Sequence, residues 1–232
     1  MSVMKQAAVA VAIFVAAVAV EARQELQMMT YQMVLLRGVP GKQPPAADAP
    51  AMQKQHLDNL IKLNKDGVNR LFGPFQDHPD TIEGIVILEV KDAAEARAAF
   101  DSDPFVKGGY MTVDVLPWYG PKGWFQKPVE PVTPEMFVFG FLMRGTPGAP
   151  VAAAESAKIQ EGHLAYMDSL HKQGKLVAAG PFGGATEYRG IVIYRVATVD
   201  EAVKLAAEDP AVKASTLRLD ARRWMTFKGI LK

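Results

Sequence analysis

The sequence predicts an α+β protein made of two tandem β-α-β-β-α-β units. Three observations predict it: a repeat offset by 106 or 107 residues, hydrophobic periods that alternate between strand and helix within each copy, and a proline-rich break between the copies. Arg37-Gly38-Val39-Pro40-Gly41 recurs as Arg144-Gly145-Thr146-Pro147-Gly148, His56-Leu57 as His163-Leu164, and Gly73-Pro74-Phe75 as Gly180-Pro181-Phe182, all at an offset of 107. After a one-residue deletion the offset is 106: Gly84-Ile85-Val86-Ile87 matches Gly190-Ile191-Val192-Ile193, Asp103-Pro104 matches Asp209-Pro210, and Asp114, Trp118 and Gly123 match Asp220, Trp224 and Gly229. From Gly84 to Gly123, 15 of 40 positions are identical to their partners, which requires a duplication with a shared register.

Each element of the first copy then follows in order. Tyr31 to Arg37 is an apolar strand; Met52 to Lys65 has helical spacing and stops at Asp66-Gly67, glycine being a natural helix terminator. Arg70 to Phe75 and Ile82 to Val90 are apolar strands separated by a loop containing Asp77, Pro79 and Asp80. Ala93 to Phe100 is a short helix and Met111 to Trp118 alternates as a strand; the second copy repeats the series from Phe137 to Trp224. A split βαβ of this order is ferredoxin-like, a four-stranded antiparallel sheet with both helices on one face. The other face is bare and apolar, so it needs a cover. The tandem copy supplies one, and the expected architecture is an intramolecular dimeric α+β barrel.

The expected organisation is a leader over residues 1–22, a first domain over 28–120, a stiff proline-rich linker over 121–135 carrying Pro121, Pro128, Pro131 and Pro134, and a second domain over 136–229. The leader reading rests on Lys5 followed by an uncharged Ala- and Val-rich run from Ala7 to Val20, with small residues up to Ala22. That run is shorter than the ~20 residues a membrane span needs, so a cleaved signal is expected, with a secreted or periplasmic product and no stable membrane span. With 26 Lys and Arg against 25 Asp and Glu, the net charge of +1 provides no field for nucleic acid. There is no cysteine, which excludes disulfides, thiolate metal sites and cysteine nucleophiles.

Chemistry must therefore use histidines, carboxylates, hydroxyls or amines. His56 lies in a stripe with Met52, Leu60 and Leu63, and His163 in a stripe with Ile159, Met167 and Leu170, so both imidazoles aim at the sheet or its edge. They read either as core histidines bonded to a carbonyl or as general acids or bases. Two carboxylate pairs are available to orient them: Asp103 and Asp209, which read equally as turns ending a helix, and Asp114 and Asp220, which share a sheet face with Trp118 and Trp224 and read either as ligand contacts or as solvated strand residues. Spacing does not choose between the pairs. Arg37 and Arg144, each ending a first strand, fit either a carboxylate on a ligand or an ordinary surface role. The cluster Asp77-His78-Pro79-Asp80 is replaced in the second copy by Gly184-Ala185-Thr186, which favours a loop turn over a metal site. No metal or cofactor motif is present in the pattern of residues.

The ordered set of His-Leu, Gly-Pro-Phe, Gly-Ile-Val-Ile, Asp-Pro-x-Val-Lys and a closing Trp resembles the YCII-related family, over about Thr30 to Trp118 and again over Met136 to Trp224. The resemblance implies a fold similar to muconolactone isomerase and other dimeric α+β barrels, with a cleft between the sheet and its loops. It implies a site made by a His and an Asp, at His56 and His163, with Asp103 and Asp209 matching the family's Asp-Pro motif and Asp114 and Asp220 standing where an acid is common. By analogy with dehydrochlorinases it implies proton abstraction or elimination on a small cyclic molecule. The expected function is a cofactor-independent acid-base isomerase or lyase, with Arg37, Arg144, Trp118 and Trp224 as substrate-binding residues, a small-molecule ligand as partner, and further self-association of the pseudo-dimer left open. The rival expectations are a non-catalytic small-molecule-binding module and, last, a metal chaperone using the Asp77 to Asp80 loop.

Overall fold

The computed structural model describes residues 27–77, 79–129, 131–146, 148, 151–184 and 186–231. The expected leader, 1–22, and His78 lie outside the described residues. The first copy runs β1 (Met28–Gly38), α1 (Ala49–Lys65), β2 (Asn69–Pro74), β3 (Ile82–Leu88), α2 (Ala93–Ala98), a one-turn helix α3 (Pro104–Lys107) and β4 (Met111–Pro121). The second runs β5 (Pro134–Arg144), α4 (Ala153–Lys172), β6 (Leu176–Pro181), β7 (Tyr188–Tyr194), α5 (Val199–Ala207), a one-turn helix α6 (Pro210–Lys213) and β8 (Leu217–Phe227). Both sheets are antiparallel, in the orders β2-β3-β1-β4 and β6-β7-β5-β8.

Local chemistry sets these boundaries. Gly67, at φ +75, ends the turn after α1 in the left-handed region that glycine tolerates. The Asp92 side chain accepts the Ala94 and Glu95 backbone N–H groups and starts α2. Because strand residues alternate, Val34 and Leu36 pack under the helices of their own copy, while Met33 and Leu35 face the other sheet. The inter-sheet core joins Tyr31, Leu35, Phe75 and Trp118 to Phe139, Phe141, Ile191 and Trp224. Burying each such side chain is worth roughly 1.5–3 kcal/mol, so the two copies are covers for each other.

Two tryptophans lock them. The Trp118 indole N–H donates to the Gly180 carbonyl at 3.0 Å, and the Trp224 indole N–H donates to the Gly73 carbonyl at the same distance. A Cβ on either glycine would collide with backbone of the other copy, the Met225 carbonyl at Gly73 and the Tyr119 carbonyl at Gly180. The sheet edges meet at isolated bridges, Phe75 with Trp224 and Trp118 with Phe182, and the Gln76 N–H donates to the Arg223 carbonyl at 2.9 Å.

The connection between the copies, expected as a stiff linker over 121–135, is shorter and packed on the protein. β4 extends through Pro121 and β5 starts at Pro134, leaving residues 122–133 between them. Trp124 and Phe125 pack on the inter-sheet core, and the Gln126 and Val129 N–H groups donate to the Ile230 and Lys228 carbonyls. The aromatic pair between the prolines turns a linker into a docked strap.

Candidate functional site

Each copy places its helix histidine against the aspartate that opens its one-turn helix. His56, between Met52 and Leu60 on α1, lies with Nδ1 2.6 Å from Asp103 Oδ2; His163 on α4 lies with Nδ1 2.7 Å from Asp209 Oδ2. Both aspartates are fully buried, and both histidines nearly so. The other carboxylate oxygen is the helix cap: Asp103 Oδ1 accepts the Phe105 and Val106 N–H groups, and Asp209 Oδ1 accepts the Ala211 N–H. Turn and histidine partner are thus one residue using two oxygens, and the proline after each aspartate suits the first helical position, where no N–H is needed.

A carboxylate only accepts, so Nδ1 carries the proton and donates it to Asp103 or Asp209. Nε2 is left as the ring nitrogen able to accept. Each imidazole lines a cavity, of about 630 Å³ at His56 and about 470 Å³ at His163. The His56 cavity lies between α1 and the β2–β3 hairpin and is closed by Pro134, Met225 and Phe227 of the second copy. Phe105 stands edge-on to the His56 ring with centroids 5.7 Å apart, whereas the matching wall of the His163 cavity is Ala211. The one carboxylate on the His56 wall is Glu83; its counterpart on the His163 wall is Arg189. Sequence reasoning missed these two, although a charge reversal at an aligned position of the repeat was there to be read.

The remaining candidates go elsewhere. Asp114 is tied to Arg37, Oδ2 to Nε at 2.6 Å, and Arg37 also donates to the Tyr188 hydroxyl at 3.0 Å. Asp220 accepts from Arg222 Nη2 at 2.6 Å, and Arg222 reaches Asp80 as well. Burial opposes charge on Asp80, yet Arg222, the Ile82 N–H and the nearby Arg37 hold its carboxyl below the usual carboxylate range. Among the described residues, neither Asp114 nor Asp220 pairs with His56 or His163.

Arg37 and Arg144 are not equivalent, despite their matching motifs. Arg37 pairs with Thr112 and Met143 with Arg218, so the strands correspond at an offset of 106, and Arg144 occupies the place of Gly38. A slip of one residue reverses the face: Arg37 turns toward the inter-sheet side, while Arg144 is exposed on the side of Leu142. Arg37 is held in this ion pair, and neither Arg37 nor Arg144 lines the His56 or His163 cavity. Trp118 and Trp224 line neither cavity, because their N–H groups and rings are committed between the sheets. In the Asp77 to Asp80 loop the acids are engaged by Arg223 and Arg222, and no group of three or more metal-binding side chains occurs among the described residues. No described helix is long and apolar enough to cross a membrane.

No curated protein matches the chain in sequence. Among solved structures, one described as a chlorite dismutase candidate aligns with 88% of this chain and 94% of its own, at 11% identity and a TM-score of 0.54. A second, described as a heme-binding protein from Thermus thermophilus, aligns with 86% of this chain and 92% of its own, at 14% identity and a TM-score of 0.53. At those identities the likeness is one of fold, and it agrees with two ferredoxin-like units forming a dimeric α+β barrel. The model of the YCII-related domain matches twice, over residues 29–119 and 141–224, one match on each dyad. The chain belongs to the YCII-related domain family.

Proposed function

We propose that this chain is an acid-base enzyme for a small organic molecule, an isomerase or lyase, working at its His-Asp cavities. The observation that carries this reading is the carboxylate on Nδ1 of each imidazole that lines a cavity, which leaves Nε2 as the nitrogen able to accept a proton. Nε2 takes a proton from an activated carbon of the ligand. Asp103 or Asp209 stabilises the imidazolium that forms, and the proton returns to another carbon or a leaving anion departs with the bonding pair. Such assistance is worth about 10²- to 10⁴-fold in rate. The apolar walls, among them Leu60, Phe72 and Phe105 at His56, suit a small cyclic body. The test is deuterium wash-in from D₂O to a panel of small cyclic ketones, followed by proton NMR. Catalysed exchange that disappears in the His56→Gln/His163→Gln double variant, with its circular dichroism unchanged, supports the reading; exchange that survives in that variant contradicts it.

A second reading is favoured by the neighbour described as heme-binding. A histidine backed through its other nitrogen by a carboxylate is also the usual arrangement of a metal-ligating imidazole. The His163 cavity fits that group better than the His56 cavity, since Arg189 could meet a propionate that Glu83 would repel. His163 Nε2 would then hold the iron, and the heme would supply redox chemistry. Hemin titration followed in the Soret region decides it: a shifted band lost in His163→Ala supports heme, and an unshifted band removes it.

A further inference from the structure

We infer that the two cavities, built on the same dyad, sort ligands by charge: the His163 cavity takes a small apolar molecule bearing a carboxylate, and the His56 cavity refuses it. This rests on the reading of both cavities as ligand sites and names the ligand class of one of them.

Gly84 pairs with Leu36 in the first sheet and Gly190 with Leu142 in the second, so the residues just before them, Glu83 and Arg189, occupy the same place on the two walls. Their backbones do the same work, the Glu83 carbonyl accepting the Phe75 N–H and the Arg189 carbonyl accepting the Phe182 N–H. Only the side-chain charge is reversed. The neighbouring strand extends the reversal. A Cβ on Gly38 would run into the Glu83 carboxylate, so that carboxylate lies across the glycine. The matching pair in the second copy is Arg144 and Arg189. Two arginines therefore occupy the strand positions of a glycine and a glutamate in the first copy, and of the two Arg189 lines the His163 cavity.

Four arginines of the sheets, Arg37, Arg70, Arg222 and Arg223, already have a carboxylate partner. Among the described residues, the side chains of Glu83, Arg144 and Arg189 make no ion pair or hydrogen bond. A charged group at a cavity wall with no internal partner is available to a ligand, and a guanidinium presents the paired N–H donors that a carboxylate accepts. What surrounds it favours a mainly apolar body: Leu142, Met167 and Ile191 line the same cavity as His163. Gln160 on the His163 wall has its counterpart in Gln53 on the His56 wall, so the glutamines do not distinguish the two sites.

The test uses the full chain labelled with ¹³C. The Cε1–H signals of His56 and His163, assigned through single His→Gln variants, are followed during titration with benzoate, benzamide and benzylamine. Benzoate is expected to shift His163 and leave His56 still. Arg189→Gln is expected to weaken benzoate by roughly 10- to 100-fold, the loss of a hydrogen bond to a charged group, while benzamide changes little. Glu83→Arg is expected to give His56 a benzoate response that it otherwise lacks. Benzoate shifting both histidines alike, shifting neither, or binding Arg189→Gln within about twofold of the parent overturns the inference. The dyad reading fails on a different result, histidine tautomers that ignore Asp103 and Asp209, so the two failures are told apart.

Discussion

Four aspartates with matched positions in the two copies meet two different partners. Asp114 and Asp220, on the strands facing the inter-sheet space, are held by Arg37 and Arg222. Asp103 and Asp209, behind the helices, are held by His56 and His163. A guanidinium keeps its proton at any physiological pH, so the first pair of contacts is static: Arg37 with Asp114 joins β1 to β4, and Asp220 holds Arg222 within β8 while Arg222 reaches Asp80 of the first copy. An imidazole bonded through Nδ1 keeps a second ring nitrogen that makes no bond to the carboxylate. The barrel interior and the helix-side cavities thus use the same acid with different partners, a guanidinium in one place and an imidazole in the other.

The largest effect should come from breaking the architectural half. Trp224→Ala removes a fully buried ring and its bond to Gly73, and should cost about 3–5 kcal/mol in urea unfolding. A loss under about 1 kcal/mol would mean that the sheets are not joined there. The reactive half is broken differently. Asp103→Asn keeps an oxygen for the Phe105 and Val106 N–H groups, so stability should fall by no more than about 1 kcal/mol. Turnover at the His56 cavity should fall by about 10²- to 10⁴-fold. Equal losses of stability and activity would instead make Asp103 a structural residue alone.

Acid separates the two halves more gently. The folded pKa of Asp80 is depressed, so its contact with Arg222 adds stability in full above the unfolded value of about 3.9 and loses it as pH falls through the folded value. Urea midpoints measured from about pH 6 to about pH 2.5 should fall less steeply for Asp80→Asn than for the parent. Parallel curves would show that the contact is not coupled to folding. The smallest effect is expected on the surface. Lys54→Ala removes an exposed pair with Asp58 and should change stability by about 0.5 kcal/mol or less, which sets the scale for the others.

Much of the fold was readable because it repeats. The shared register of Gly84 to Gly123 with Gly190 to Gly229 implied, through a known topology, a four-stranded antiparallel sheet with both helices on one face, and the bare sheet face implied its cover. The histidines were readable as well, since a polar residue in an apolar helical stripe stands out. Their partners were not. His56 and Asp103 are 47 residues apart, and the choice of Asp103 over Asp114 depends on α3, a four-residue helix too short to show periodicity. The Arg37 and Arg144 motif misled because the two strands align one residue out of step with it, and a single-residue slip reverses a face. Trp118 and Trp224 read as a ligand wall because alternation gives the face of a residue but not what covers that face.

The central claim is that each carboxylate fixes its histidine with Nδ1 protonated and Nε2 open to the cavity. Long-range ¹H–¹⁵N correlation of the imidazoles at neutral pH tests it directly, in the parent, in Asp103→Asn and in Asp209→Asn. The account predicts the Nδ1–H tautomer for the neutral rings of His56 and His163, lost at His56 alone in the first variant and at His163 alone in the second. The Nε2–H tautomer in the parent, or patterns that do not change in either variant, would contradict it.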